Sequence, residues 1–198
     1  MLSAIPTLLS ISAGIVVLVV VLGVLLVCVL WFVAVFNGLI RLRNMVNEAW
    51  AQIDVQLKRR YDLIPNIVNT VKGYASHEKE LMENVTKARA DAIAAGSVGE
   101  QGKAENVLTG ALRSVFAVAE NYPNLKANEN FLSLQEELSS TENKISFARQ
   151  HYNETVRGYN TRQQTFPNSL VAAMSSHKPR EMFELADDAQ REAPNVKF

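Results

Sequence analysis

GIVVLVVVLGVLLVCVLWFVAVF, Gly14–Phe36, is almost purely Val, Leu, Ile, Ala and Phe. It lies within a first forty residues that hold no Asp, Glu, Lys or Arg. The 22 residues of Ile15–Phe36 make a helix of about 33 Å at ~1.5 Å per residue, enough to cross the ~30 Å hydrocarbon core of a bilayer. Val and Ile crowd the outer half, and such a run in water could be a strand. Its length and unbroken apolarity argue for a spanning helix, in which every backbone group pairs internally. Trp31, Phe32 and Phe36 cluster near its end, as aromatic anchors do at a membrane interface.

A cleaved signal peptide would want a basic start, a shorter apolar core and a small-x-small cleavage site. Here the start is neutral, the core is too long, and Ala34-Val35-Phe36 is a poor site. Cys28 is a poor lipidation site, because it lies deep in the run and is followed by Val29. Arg41, Arg43, Lys58, Arg59 and Arg60 come after the span, whereas only the amino terminus is positive before it. The positive-inside rule therefore puts the carboxyl-terminal body in the cytoplasm. The expected division is 1–11 as a short outer tail, 12–37 as a transmembrane helix and 38–198 as a cytoplasmic body. A single Cys fits a body that uses no disulfides.

From Asn37 onward the chain reads as helices. Arg41–Tyr74 carries one apolar stripe at three- and four-residue steps: Trp50, Ile53, Leu57, Ile64, Ile67, Val71 and Tyr74, interrupted by Arg60. Pro65 removes one backbone bond from this helix and is a place for a kink. Asn37-Gly38 is either a short hinge or part of a helix running straight out of the membrane. A turn is expected at Gly73–Ser76. His77–Ala95 follows, with Leu81, Val85, Ala88, Ala92 and Ala95 on one side. Gly96-Ser97-Val98-Gly99 reads as a loop extended by Gly102. The next helix, Lys103–Glu120, would bury Val107, Leu108, Ala111, Leu112, Val115, Phe116 and Ala119. Asn121-Tyr122-Pro123-Asn124 ends it.

The last long helix starts near Asn128, a candidate cap. Phe131, Leu138, Ile145, Tyr152 and Tyr159 repeat every seven residues, accompanied by Leu134, Thr141, Ala148 and Thr155. This coiled-coil-like period favours left-handed helix packing. The small Thr and Ala positions favour close packing in an antiparallel bundle. Phe166-Pro167 closes the helix, Leu170–Met174 adds an apolar turn, and Lys178-Pro179 breaks it. Pro179–Glu192 reads as a short acidic segment. The fold class is all-α: an N-terminal transmembrane helix followed by an antiparallel three- to four-helix bundle.

No catalytic constellation emerges. His77, His151 and His177 stand far apart, and none has a metal-ligand spacing with Cys, His or a carboxylate. Glu136, Glu137 and Glu142 lack the E-x-x-H partner of a di-iron bundle. The Gly96–Gly102 stretch lacks the Lys-Ser/Thr of a phosphate loop, and no nucleophile elbow is present. No residue is nominated as catalytic, cofactor-binding or metal-binding, no cofactor is expected, and the chain is expected not to be an enzyme. With 20 basic and 20 acidic residues, a broad nucleic-acid surface is not expected. Lys58-Arg59-Arg60 is the one basic triplet. It reads as a solvated face or as donors to internal ion pairs.

Several ordered stretches resemble the LemA family. They are Arg59-Arg60-Tyr61-Asp62-Leu63-Ile64-Pro65-Asn66 and Tyr122-Pro123-Asn124-Leu125-Lys126-Ala127-Asn128. Next come Leu134-Gln135-Glu136-Glu137-Leu138 and Thr141-Glu142-Asn143-Lys144-Ile145. The last are Ala148-Arg149, Tyr152-Asn153, Tyr159-Asn160, Phe166-Pro167 and a closing Glu192-Ala193-Pro194 to Phe198. The resemblance implies a bacterial single-pass membrane protein with an outer amino terminus and a cytoplasmic antiparallel bundle. It supplies no catalytic residues. It also implies that Pro65 sets a bend, and that Arg59 or Arg60 pairs with Glu136, Glu137 or Glu142. Ser176-His177 departs from the Gly-Phe that members resemble, which would weaken a local dock of the tail.

Two functional classes fit these observations. One is a membrane-anchored scaffold or assembly protein, self-associating as a homo-oligomer. The other is an adaptor for another membrane or cytoplasmic protein, such as a stress-signalling component or a membrane protease.

Overall fold

The computed structural model describes residues 4–184, with side chains described from residue 14 onward. Among the described residues six helices follow in order: α1 Ala4–Tyr74, α2 Lys79–Ala94, α3 Val98–Ala119, α4 Pro123–Lys126, α5 Glu129–Gln164 and α6 Asn168–Met174. No strand occurs among the described residues. The fold is all-α, a long apolar amino-terminal helix followed by a packed helical bundle. The chain forms two compact units, Met1–Asn44 with Tyr159–Pro179 and Met45–Gly158 with Arg180–Phe198. α1 and α5 contribute to both. Most of the expected acidic segment Pro179–Glu192 lies outside the described residues, as does the closing Glu192–Phe198.

In the first unit α1 passes Asn37-Gly38 without a hinge. The large apolar side chains from Ile15 to Leu30 stand 48–65% exposed, on a helix long and apolar enough to cross a membrane. Leu39, Val171 and Ala172 are buried together, with Phe32, Val35 and Phe36 packed against them. The backbone then turns at Ser176, whose φ of 54° explains why a glycine would suit this position. His177 nevertheless docks. Its ring lies 6.3 Å from that of Phe36 and 6.1 Å from that of Tyr159, and its Nδ1 is hydrogen-bonded to the Tyr159 hydroxyl at 2.9 Å. The dock at Ser176-His177 includes this polar contact.

The second unit is built on the stripe of α1. Ile53, Leu57, Ile64, Ile67 and Val71 are buried as expected, and Val46, Ala49, Leu63 and Val68 join them. Tyr74 is 44% exposed, at the helix end. α2 adds Met82, Val85, Ala88 and Ala92, and α3 adds Leu108, Leu112, Val115 and Ala119. Val107 points outward rather than into the core, one position away from Leu108. On α5 every leading heptad residue, Phe131, Leu138, Ile145, Tyr152 and Tyr159, is buried, with Thr141 between them. Asn128 caps α5, its Oδ1 accepting from the Phe131 N–H at 3.0 Å.

The glycine-rich stretch is mostly helix rather than loop. Ser97 and Glu100 form a reciprocal capping box that starts α3 at Val98 and takes Gly99 and Gly102 into its first turns. Gly102 has a packing reason: a Cβ there would lie 2.4 Å from the Glu184 carbonyl oxygen. The chain at 181–184 is held close by a clamp. Asn153 Oδ1 accepts from the Phe183 N–H at 2.8 Å, and its Nδ2 donates to the Phe183 carbonyl at 3.1 Å. Tyr152 donates to the Glu181 carbonyl at 2.9 Å. The Phe183 ring is fully buried, 5.6 Å from that of Trp50.

Candidate functional site

The interruption at Arg60 is the centre of a buried polar cluster. Arg60 sits on the apolar face of α1 and its side chain is 3% exposed. A guanidinium so placed must be paired, because desolvating an unpaired charge costs several kcal/mol or more. Two carboxylates meet it: Glu105 of α3 at 3.2 Å and Glu142 of α5 at 3.0 Å. Its Nη2 also donates to Thr109 Oγ1 at 2.7 Å. Arg60 Nε is buried without an acceptor. Next to it, Arg59 pairs with Glu137 of α5 at 2.7 Å on an exposed face. The ion-pair reading of the basic triplet and the predicted partners Glu137 and Glu142 are thus found. Glu136 is not used, and Glu105 escaped the sequence reading.

Tyr61 extends the cluster. Its hydroxyl donates to Glu105 Oε1 in a short hydrogen bond. Gln101 Nε2 lies within hydrogen-bond distance of the Tyr61 hydroxyl at 2.8 Å, Glu105 Oε1 at 2.9 Å and the Ala92 carbonyl at 3.0 Å. Burial first, then the hydrogen-bonded Glu105 carboxylate, pushes the Tyr61 phenol well above its ordinary range. Burial also raises Glu105, against the lowering effect of Tyr61, Arg60 and Gln101. Tyr61 therefore remains a neutral donor at physiological pH. The cluster fastens α1, α3 and α5 at one level.

Pro65 explains a further residue. Its ring nitrogen offers no N–H to the carbonyl four places back, which belongs to Tyr61. α1 runs on through Pro65 without ending. Arg89 of α2 supplies the missing donor, its Nε reaching the Tyr61 carbonyl at 2.7 Å. The motif Arg59–Pro65 thus takes side-chain partners from α2, α3 and α5. All of these contacts join one helix to another. Among the described residues no group of three or more His, Cys, Asp or Glu side chains could hold a metal ion. An open groove at the turn after α1 is lined by charges of both signs, among them Lys72, Glu78, Lys79 and Glu83, with Met82 on its wall.

Comparison with known proteins places these features. The chain is 28% identical to Protein LemA of Metamycoplasma hominis over 141 residues, covering 69% of this chain and 63% of that protein. It is 22% identical to Magnetosome protein MamQ 2 of Paramagnetospirillum magneticum over 175 residues, covering 75% of this chain and 64% of that protein. Magnetosome protein MamQ of Magnetospirillum gryphiswaldense is 21% identical over 174 residues, with the same coverage. The chain thus spans somewhat under two thirds of the length of these curated relatives. The LemA family pattern matches residues 49–198, which contain the Arg60–Glu105–Glu142 cluster, the Pro65 motif and the heptads of α5. On that match the chain belongs to the LemA family.

Proposed function

We propose that this protein is a non-enzymatic, membrane-anchored scaffold that associates with copies of itself. The observation that carries the reading is α1. One unbroken helix holds a lipid-length apolar stretch with its side chains exposed and, further on, the main apolar stripe of the bundle. The buried cluster supports it, because the contacts of Arg60, Tyr61, Glu105 and Glu142 join α1 to α3 and α5. In this reading residues 12–37 cross a bacterial inner membrane once, 1–11 face outward, and 38–198 are cytoplasmic. Arg41 and Arg43 directly after the span support that orientation. The partners are the bilayer and further copies of the chain, and no nucleic acid is bound.

The test is the mass of the full-length protein in mild detergent, together with oxidative cross-linking of Cys28 in native membranes. Spans packed about a symmetry axis give a discrete multiple of the chain mass and Cys28–Cys28 dimers. A monomer without cross-links refutes self-association. It leaves the adaptor reading, in which a separate membrane or cytoplasmic protein is the partner.

A further inference from the structure

We infer that α6 and the residues flanking it form a foot embedded in the membrane interface, beside the end of the span. The inference rests on the reading of Gly14–Phe36 as a transmembrane helix. One face of α6 is already occupied: Val171 and Ala172 are buried with Leu39, against Phe32, Val35 and Phe36. Phe32 and Val35 belong to the apolar run itself, so α6 touches residues at lipid depth. The opposite face carries Leu170 and Met174, four residues apart, and Phe166 lies in the turn just before the helix. Phe166, Leu170 and Met174 stand 76%, 56% and 76% exposed. Three large exposed apolar side chains on and just before α6, beside an apolar span, have an occupant at hand, the same bilayer.

Charge makes the second argument. All 20 carboxylate side chains of the protein lie in 45–158 and 180–198, and none lies in 1–44 or 159–179. The unit that holds α6 carries Arg41, Arg43, Arg162 and Lys178, all exposed. A cationic, acid-free surface around an apolar row fits anionic headgroups above acyl chains. The bundle unit takes all the acids.

The experiment uses the full chain in vesicles of phosphatidylethanolamine and phosphatidylglycerol. A nitrobenzoxadiazole probe is placed on one cysteine at a time. In a Cys28→Ala background the cysteines are Leu170→Cys, Met174→Cys and, as a control, Phe147→Cys, whose native side chain is equally open at 73% exposure. A fourth sample carries the probe on native Cys28, attached before reconstitution. The quencher is a nitroxide on the lipid chain near the headgroup. The foot predicts blue-shifted emission at 170 and 174 that loses most of its intensity to the quencher, and a probe at 147 that stays solvent-like. Probes at 170 and 174 no more quenched than at 147, with Cys28 quenched, overturn the foot and leave the anchor standing. An unquenched Cys28 overturns the anchor and the foot together. Shielded probes without lipid quenching, together with 170–170 disulfides between copies in an unlabelled Leu170→Cys, Cys28→Ala sample, overturn the foot in favour of a protein interface.

Discussion

Pro65 and Arg89 should be coupled, and a double-mutant cycle measures by how much. Pro in a helix interior costs ~3 kcal/mol relative to Ala, partly through the lost i to i−4 bond. In this protein the orphaned Tyr61 carbonyl takes a 2.7 Å bond from Arg89 Nε instead. A hydrogen bond to a charged group is worth ~1.5–3 kcal/mol, and partial exposure here favours the lower end, about 1.5 kcal/mol. Arg89→Ala should cost about that much in the native background. In Pro65→Ala the new N–H at 65 serves the Tyr61 carbonyl, and Arg89→Ala should then cost no more than ~0.5 kcal/mol, for a coupling near 1 kcal/mol. The assay is denaturant unfolding of the full chain in mild detergent, in a Trp31→Phe background. Trp50, packed 5.3 Å from Tyr152 and 5.6 Å from Phe183, then reports on the bundle. Coupling within ~0.3 kcal/mol of zero would show that Arg89 does not replace the missing donor.

Three further outcomes are expected. Glu105→Ala leaves buried Arg60 with one half-open partner and should cost ~3–5 kcal/mol, whereas Arg59→Ala breaks a pair 50% and 39% exposed and should cost under ~1 kcal/mol by the same unfolding assay. Gly102→Ala should lift the chain at 181–184 off α3, seen as red-shifted Trp50 emission and faster proteolysis after Arg180; unchanged emission would sink the packing argument. Burial, then the nearby Arg43, holds His177 below its ordinary value of 6.5. The unfolded chain thus binds that proton more tightly, so the stability His177 provides is present above pH 6.5 and is lost as pH falls below it. Thermal melts of the native chain and His177→Phe should therefore diverge under acid and run parallel above neutrality.

The helices were legible where periodicity reports burial. The α5 heptads were read correctly because each leading position meets the core, and the long amino-terminal helix was read from the length and apolarity of its first half. The polar cluster was half legible. Arg60 showed as a flaw in a stripe and, through the family resemblance, as a partner of Glu142, but Glu105 stayed hidden, since it comes from another helix and pattern within one helix cannot see across. Gly99 and Gly102 hid the Ser97–Glu100 cap, because glycine signals a loop unless a close contact explains it, and the contact at Gly102 is made by distant Glu184. The Asn153 clamp left no trace in the periodicity, since it grips backbone atoms, and Tyr152-Asn153 stood out only through the family resemblance.

A seven-residue repeat has a weakness: sliding α5 along α1 by seven places presents much the same apolar row. The ion pairs remove that freedom. A slide that brings later residues forward would put Lys144 where Glu137 meets Arg59, and Arg149 where Glu142 meets Arg60, setting cation against cation twice. The opposite slide brings neutral Asn130 and Gln135 to the same places and strips buried Arg60 of one carboxylate. Only one alignment of the two helices satisfies both arginines, so these charges act as a vernier on a scale that the apolar residues leave ambiguous.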